Sequence, residues 1–227
     1  MLSEHLFDSR EAASIAAAAR IAGLISAQLR RDGKSAFVVG GGSSPVQCFE
    51  YLSGYELDWQ SVTVILSDER WVDSDHDDSN EKMIRERLLV NQASDAHMLA
   101  IYEEGTSADA RCAALQSHRP DNGFACAQVG MGSDGHFASL FPDSDDLASG
   151  LSPDNSQFFM PIRTAASPHP RISMTLAALQ KSDEILLLFF GNEKKAVYES
   201  AKSGESTYPI AALLQQTTTP VSLYWAP

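Results

Sequence analysis

Apolar positions in residues 9–31 recur at three- and four-residue steps, at Ile15, Ala19, Ala22, Ile25 and Leu29, behind Ser9 and ahead of Gly33. That spacing predicts an amphipathic first helix, with a hydroxyl to open it and a glycine to stop it. Downstream the period changes. Short β-branched or aromatic runs at 36–39, 62–66, 98–102, 124–129, 185–190 and 221–225 alternate with helical patterns at 45–52, 80–89, 107–116 and 193–201. Continuous apolar runs suit strands buried on both faces. Their alternation with helices predicts a mainly parallel sheet in a three-layer α/β/α sandwich. Residues 142–170, rich in Pro, Ser and Asp, break the rhythm and read as a long loop region with one short strand near 158–162. Neither a repeat nor a linker divides the chain, so one domain is expected over residues 1–227.

Charge narrows the partners. Thirty Asp plus Glu against 17 Lys plus Arg give a net charge of −13, which repels polyanions and argues against nucleic acid and anionic membrane surfaces. The alanine-rich run 12–29 is interrupted by Arg20 and Gln28 and falls short of the roughly 20 strongly apolar residues a bilayer requires, so it reads as a soluble helix. Glu4, Asp8 and Glu11 do not suit a secretory signal. Cys48, Cys112 and Cys126 have neither C-x-x-C nor zinc-finger spacing, which suits reduced thiols and a cytoplasmic location.

Three segments carry candidate chemistry. In Val38-Val-Gly40-Gly41-Gly42-Ser43-Ser44-Pro45 a strand runs into glycines and hydroxyls ahead of a helix, a place where backbone N–H groups approach an anion; the alternative is a tight turn with no ligand. Pro45 occupies the third glycine position of a dinucleotide fingerprint, and no Gly-Lys-Ser/Thr follows. In Ile65-Leu66-Ser67-Asp68-Glu69-Arg70 a buried strand ends in two acids and an arginine, expected to emerge at the carboxyl edge of the sheet where α/β crevices lie. Arginine grips phosphate bidentately and aspartate holds a sugar hydroxyl or moves a proton, against the alternative of a salt bridge closing the strand. The acidic loop 73–78 lacks the glycine and glutamate of a calcium loop and reads as solvated, with Ser79 or Asn80 capping the next helix.

The third segment, Gly130-Met131-Gly132-Ser133-Asp134-Gly135-His136-Phe137-Ala138-Ser139-Leu140-Phe141-Pro142, satisfies G-x-G-x-x-G, but Pro142 and the loop beyond it interrupt the helix that a dinucleotide site requires. What remains is a strand-end turn presenting Asp134 and His136 together. An imidazole oriented by a carboxylate is the requirement for a general base acting on water. Arg163, Arg171 and Lys194 are the remaining cations of interest. Lys194 opens a helix, where a cation is disfavoured by the macrodipole unless an anion intervenes. His5, His76, His97, His118 and His169 read as structural or surface residues.

Taken together, Gly41-Gly-Ser-Ser-Pro45, Asp68-Glu-Arg-Trp-Val72 with Ser79-Asn80, Gly130 to His136 with Ala138-Ser-Leu-Phe-Pro142, Pro170-Arg171-Ile-Ser-Met-Thr175 and Gly191-Asn-Glu-Lys194 resemble the 6-phosphogluconolactonases, relatives of the glucosamine-6-phosphate deaminase/isomerases. Ser44 and Phe137 stand where that family usually has threonine. The resemblance implies a Rossmann-related sandwich and a carboxylic ester hydrolysis, that of 6-phospho-D-glucono-1,5-lactone in the pentose phosphate pathway, with no metal or other cofactor. It implies His136 and Asp134 as catalytic residues and Gly41, Gly42, Ser43, Asp68, Arg70, Arg171 and Lys194 as substrate-binding, with Arg163 in reserve for the phosphate. The partner expected is a small phosphorylated sugar lactone, bound by a monomer or small homo-oligomer. Two rivals are a sugar-phosphate sensor without turnover and an amino-sugar phosphate deaminase or isomerase. The second resembles a machine with an extra acid five residues after the histidine, where this chain has Phe141.

Overall fold

The computed structural model describes residues 1–204 and 206–227, and opens with strand β1 (Leu2–Leu6) and helix α1 (Arg10–Asp32). Ser9 caps α1 by accepting the Ala12 N–H at 3.1 Å, and Gly33 ends it in the left-handed region at φ 71°. The boundaries match the sequence reading; the buried face matches it at Ala22 and Ile25 but is rotated away from Ile15 and Ala19. Ile15 is 45% exposed and Ala19 faces solvent, while Ala13, Ala17, Ala18, Ile21, Ala22 and Ile25 are buried. A stripe made mostly of alanines lets the helix backbone sit close to the sheet, and that close fit selects it over the stripe containing Ile15. By length and composition alone α1 is apolar enough to cross a bilayer, but its apolar face packs against β-strands and a neighbouring helix of this chain.

After α1 come β2 (Ser35–Val39), α2 (Val46–Leu52), β3 (Val62–Leu66), β4 (Asp68–Arg70), α3 (Asn80–Arg87), β5 (His97–Leu99) and α4 (Ala108–Leu115). Then follow β6 (Ala127–Val129), α5 (Leu147–Leu151), β7 (Phe159–Ile162), β8 (Arg171–Met174), α6 (Leu176–Leu179), β9 (Ile185–Phe190), α7 (Asn192–Ser203), α8 (Ile210–Gln215) and β10 (Val221–Ala226). Seven strands form one sheet in the order β1-β10-β9-β6-β2-β3-β5, and every pair in it is parallel. All five residues of β2 are buried, as are the first five of β9. Successive side chains alternate between faces, so both faces of the sheet centre are covered, as a three-layer sandwich requires. The edge strand β1 escaped the sequence reading because Glu4 and His5 interrupt its apolar pattern and leave it mostly exposed.

A second sheet, antiparallel in the order β4-β8-β7, branches from the end of β3. Ser67 is the joint. Its N–H donates to Val39 of the main sheet at 2.8 Å and its carbonyl accepts the Met174 N–H of β8 at 2.8 Å. The region 142–170 is thus more ordered than its composition suggested, containing α5 as well as β7.

The rotated face of α1 generates a paired prediction for urea denaturation. Ile21→Ala removes a fully buried side chain and should cost about 2–5 kcal/mol, whereas Ile15→Ala should change stability by less than about 0.5 kcal/mol. The reverse order would restore the face that the spacing suggested.

Candidate active site

Strand order opens the site. β2 and β6 are neighbours, but β2 is followed outward on its side by β3 and β5, while β6 is followed on the other side by β9 and β10. Connections leaving such a pair diverge, and a crevice forms beyond the carboxyl ends of the strands. Backbone pairing of the two is brief, with Val38 opposite Ala127. Beyond it the buried Gln128 side chain takes over, its Oε1 accepting the Gly40 N–H at 3.1 Å. The crevice is lined by residues 40–44 after β2, by Ser67, Asp68 and Arg70 after β3, and by Asn80 at the start of α3. Residues 130–132 and 136–138 after β6, Arg171 of β8 and Lys194 of α7 complete it.

Asp134 and His136 meet in the turn after β6. Asp134 Oδ1 lies 2.5 Å from His136 Nδ1 and also accepts the His136 backbone N–H at 3.2 Å. An ionised carboxylate only accepts, so Nδ1 carries the proton and Nε2 is left as the basic nitrogen of a ring that lines the crevice. The turn closes through the Gly132 N–H donating to the His136 carbonyl at 2.9 Å. A Cβ at Gly132 would stand 2.3 Å from His136 Nδ1 and 2.5 Å from Asp134 Oδ1, so the glycine makes room for the pair. Phe141 packs on the imidazole with ring centroids 4.2 Å apart, and Arg171 Cζ lies 5.3 Å from the Phe141 centroid.

Arg70 and Arg171 are direct partners across the β4–β8 pair. Like charges facing each other are unfavourable without an anion between or beside them. Burial lowers the Arg171 pKa from its ordinary value, with Arg70 adding to the effect and Asp68 opposing it. Arg70 Nε is buried with no hydrogen-bond partner among the described residues. Lys194 is likewise lowered, chiefly by burial, while Asp134 pulls it back up. Each of these cations lacks full hydration, which a bound anion would compensate.

Asp68 is fixed rather than free. Its Oδ1 accepts Ser67 Oγ–H at 2.7 Å, its Oδ2 accepts Ser139 Oγ–H at 2.7 Å, and Arg171 Nη1 lies 3.8 Å from the same Oδ2. Ser139 also accepts from Arg171 Nη1 at 3.4 Å. Glu69 departs from expectation: strand alternation turns it away from the crevice. It caps α3 instead, accepting from Ser79 Oγ at 3.0 Å and from the N–H groups of Asn80 and Glu81 at 2.8 and 2.7 Å. Burial raises the Glu69 pKa against the pull of those N–H groups. Arg163 is placed elsewhere, exposed and 3.2 Å from Asp109. Sequence reasoning gave no individual role to Ser139 or Gln128, and took Asn80 as a cap candidate and as part of a segment shared with the family, without a role at the crevice. Asn80 Nδ2 donates to the Asp68 carbonyl at 2.9 Å, and a Cβ at Gly41 would fall 2.1 Å from Asn80 Oδ1. The close approach at Gly41 was the signal available in sequence; the partner was not.

Fold and site together define a class: a parallel-sheet α/β protein whose carboxyl-edge crevice sets an Asp–His pair among cations suited to a small anion. The chain matches the glucosamine-6-phosphate isomerases/6-phosphogluconolactonase family over residues 8–225, and it belongs to that family. It is 33% identical over 227 residues to a 6-phosphogluconolactonase of Rhizobium meliloti, covering 98% of each chain. To a 6-phosphogluconolactonase of Caulobacter vibrioides it is 35% identical, covering 97% of this chain and 95% of that one. Among solved structures, a 6-phosphogluconolactonase from Shewanella baltica superposes with a TM-score of 0.93 at 33% identity, covering 100% of this chain and 98% of that one.

Gly132→Ala should leave the fold intact but push the imidazole from Asp134, lowering turnover on the order of 100-fold, since misplacement by about 1 Å is enough for that loss. At Gly130 an added Cβ meets only the Leu188 carbonyl oxygen, at 3.9 Å, so Gly130→Ala serves as the mild control, with circular dichroism confirming both folds.

Proposed function

We propose that this chain hydrolyses 6-phospho-D-glucono-1,5-lactone to 6-phospho-D-gluconate, a carboxylic ester hydrolysis of the oxidative pentose phosphate pathway. The observation that carries the reading is His136, hydrogen-bonded to Asp134, lining the same crevice as Arg70, Arg171 and Lys194. An ester carbonyl needs an activated water, and a 6-phosphate needs cations at the far end of the sugar.

In this mechanism His136 Nε2 takes a proton from water as the water oxygen bonds to the lactone carbonyl carbon. Asp134 holds the imidazole through Nδ1 and stabilises its protonated form. When the bond from that carbon to the ring oxygen breaks, the proton returns to the ring oxygen, leaving a carboxylic acid and a hydroxyl. N–H groups of the turn formed by Gly41, Gly42 and Ser43 stabilise the developing oxyanion or hold sugar hydroxyls. Arg70, Arg171 and Lys194 bind the phosphate. Asp68, with both oxygens already engaged, positions Arg171 and has remaining lone pairs for a sugar hydroxyl.

Phe141 weighs against the deaminase or isomerase reading, because it fills the position of the extra acid and packs between His136 and Arg171. Retention of a closed Asp134–His136 hydrogen bond weighs against a sensor. Three buried free thiols support a cytoplasmic setting for this reaction, in one domain spanning residues 1–227. Burial pushes the Cys48 thiol up to about 12, so that cysteine is no nucleophile at neutral pH.

Two variants separate chemistry from binding. His136→Asn should lower kcat by roughly 10²- to 10⁴-fold with little change in affinity for 6-phosphogluconate. Arg171→Ala should raise KM and weaken that affinity. Turnover near the original value in the first, or unchanged KM and kcat/KM in the second, would remove the residue from its role.

A further inference from the structure

Two histidines distant in sequence meet outside the crevice. His76, on the connection from β4 to α3, and His169, on the connection from β7 to β8, sit around Asp78, and one donor atom from each residue lies within 4.8 Å of the others. Asp78 Oδ2 is 3.0 Å from His169 Nε2 and 3.9 Å from His76 Nδ1. The rings stand edge to face at 77°, with centroids 5.5 Å apart.

We propose that His76, Asp78 and His169 form a binding site for a divalent transition-metal cation of the zinc type. Bonds of about 2.0–2.1 Å place neighbouring ligands around one such ion about 3 to 3.4 Å apart. The Asp78–His169 edge already has that length, and the Asp78–His76 edge is less than 1 Å too long. Closing it is cheap, because all three side chains are partly exposed and lie on connections rather than in the core. The His76 Nδ1 lone pair now accepts the Asp78 N–H at 3.0 Å, and rotation of the imidazole frees either ring nitrogen to face the ion. Two imidazoles with one carboxylate select zinc, nickel or cobalt over magnesium and calcium, which prefer all-oxygen shells. Water would fill the open positions.

The cluster has a structural consequence. Arg70 Nη1 donates to the Asp78 carbonyl, and the Trp71 N–H donates to Pro170 at 2.8 Å, so both connections adjoin the Arg70–Arg171 pair. A bound ion would tie together the two segments that hold those arginines. The inference does not depend on lactone hydrolysis, and its test reads binding alone.

The test is calorimetric titration of ZnCl2 into the full chain after dialysis against a chelator, with MgCl2 as the comparison. One saturable zinc site is expected, with no magnesium binding at the same concentrations. His76→Ala and His169→Ala should each weaken zinc at least about 100-fold, more than the ~10- to 100-fold that loss of an outer partner costs. His136→Asn should leave it unchanged, which separates this cluster from the Asp134–His136 pair. Absence of saturable zinc binding, or unchanged affinity in both cluster variants, overturns the proposal. Should those variants fail to fold, imidazole NMR of the unaltered protein decides: the His76 and His169 signals shift at one equivalent of zinc if the site exists, and stay in place if it does not.

Discussion

The crevice and the groups gathered in it depend on the parting of β2 and β6. The two strands share one register pair, Val38 with Ala127, before their connections leave in opposite directions. At that point the Gly40 N–H would lose its backbone partner, and the Gln128 side chain supplies a replacement at 3.1 Å. The sheet therefore stays closed below the split and open above it. Four adjacent strands, β9, β6, β2 and β3, deliver Lys194, His136, the glycine turn at 41–43 and Asp68 to one opening. Ser67 then passes the chain to the small sheet, which brings Arg171 back to face Arg70.

Bulk charge and local charge act at different ranges. A net charge of −13 bears on solubility and on large polyanionic partners. Much of the acid lies in exposed segments such as 73–78 or is paired at the surface, as in Asp77 with Lys82 at 2.7 Å. Inside the crevice the balance differs: Arg171 and Lys194 are partly stripped of water, and Arg70 keeps a buried Nε unpartnered among the described residues. Asp68, the acid beside them, is tied by Ser67 and Ser139. Geometry, not composition, decides that a small anion is welcome there.

How much of this was legible in the sequence follows from the range of each signal. Caps are local, so Ser9 and Gly33 marked the ends of α1 correctly, and the strands at 62–66 and 185–190 were visible because a doubly covered strand is apolar throughout. The Asp134–His136 pair was legible because both partners sit in one turn. Strands β4 and β8 were not, since Asp-Glu-Arg and Arg-Ile-Ser-Met carry too few apolar positions to show a period and gain their pairing only from each other. Ser139 and Asp68 are separated by 71 residues, and Gly40 and Gln128 by 88. Contacts of that range leave no trace in spacing, and neither did the face of α1, which sheet packing chose between two plausible stripes.

Activation of water in this crevice against a phosphorylated lactone is tested with lactone made in place by enzymatic oxidation of glucose-6-phosphate. Acid release is followed against the spontaneous opening of the same lactone. Such activation gives release above that background, rising in proportion to added protein and falling to background when 6-phosphogluconate saturates the crevice. Acid release indistinguishable from the spontaneous rate at every protein concentration would contradict it.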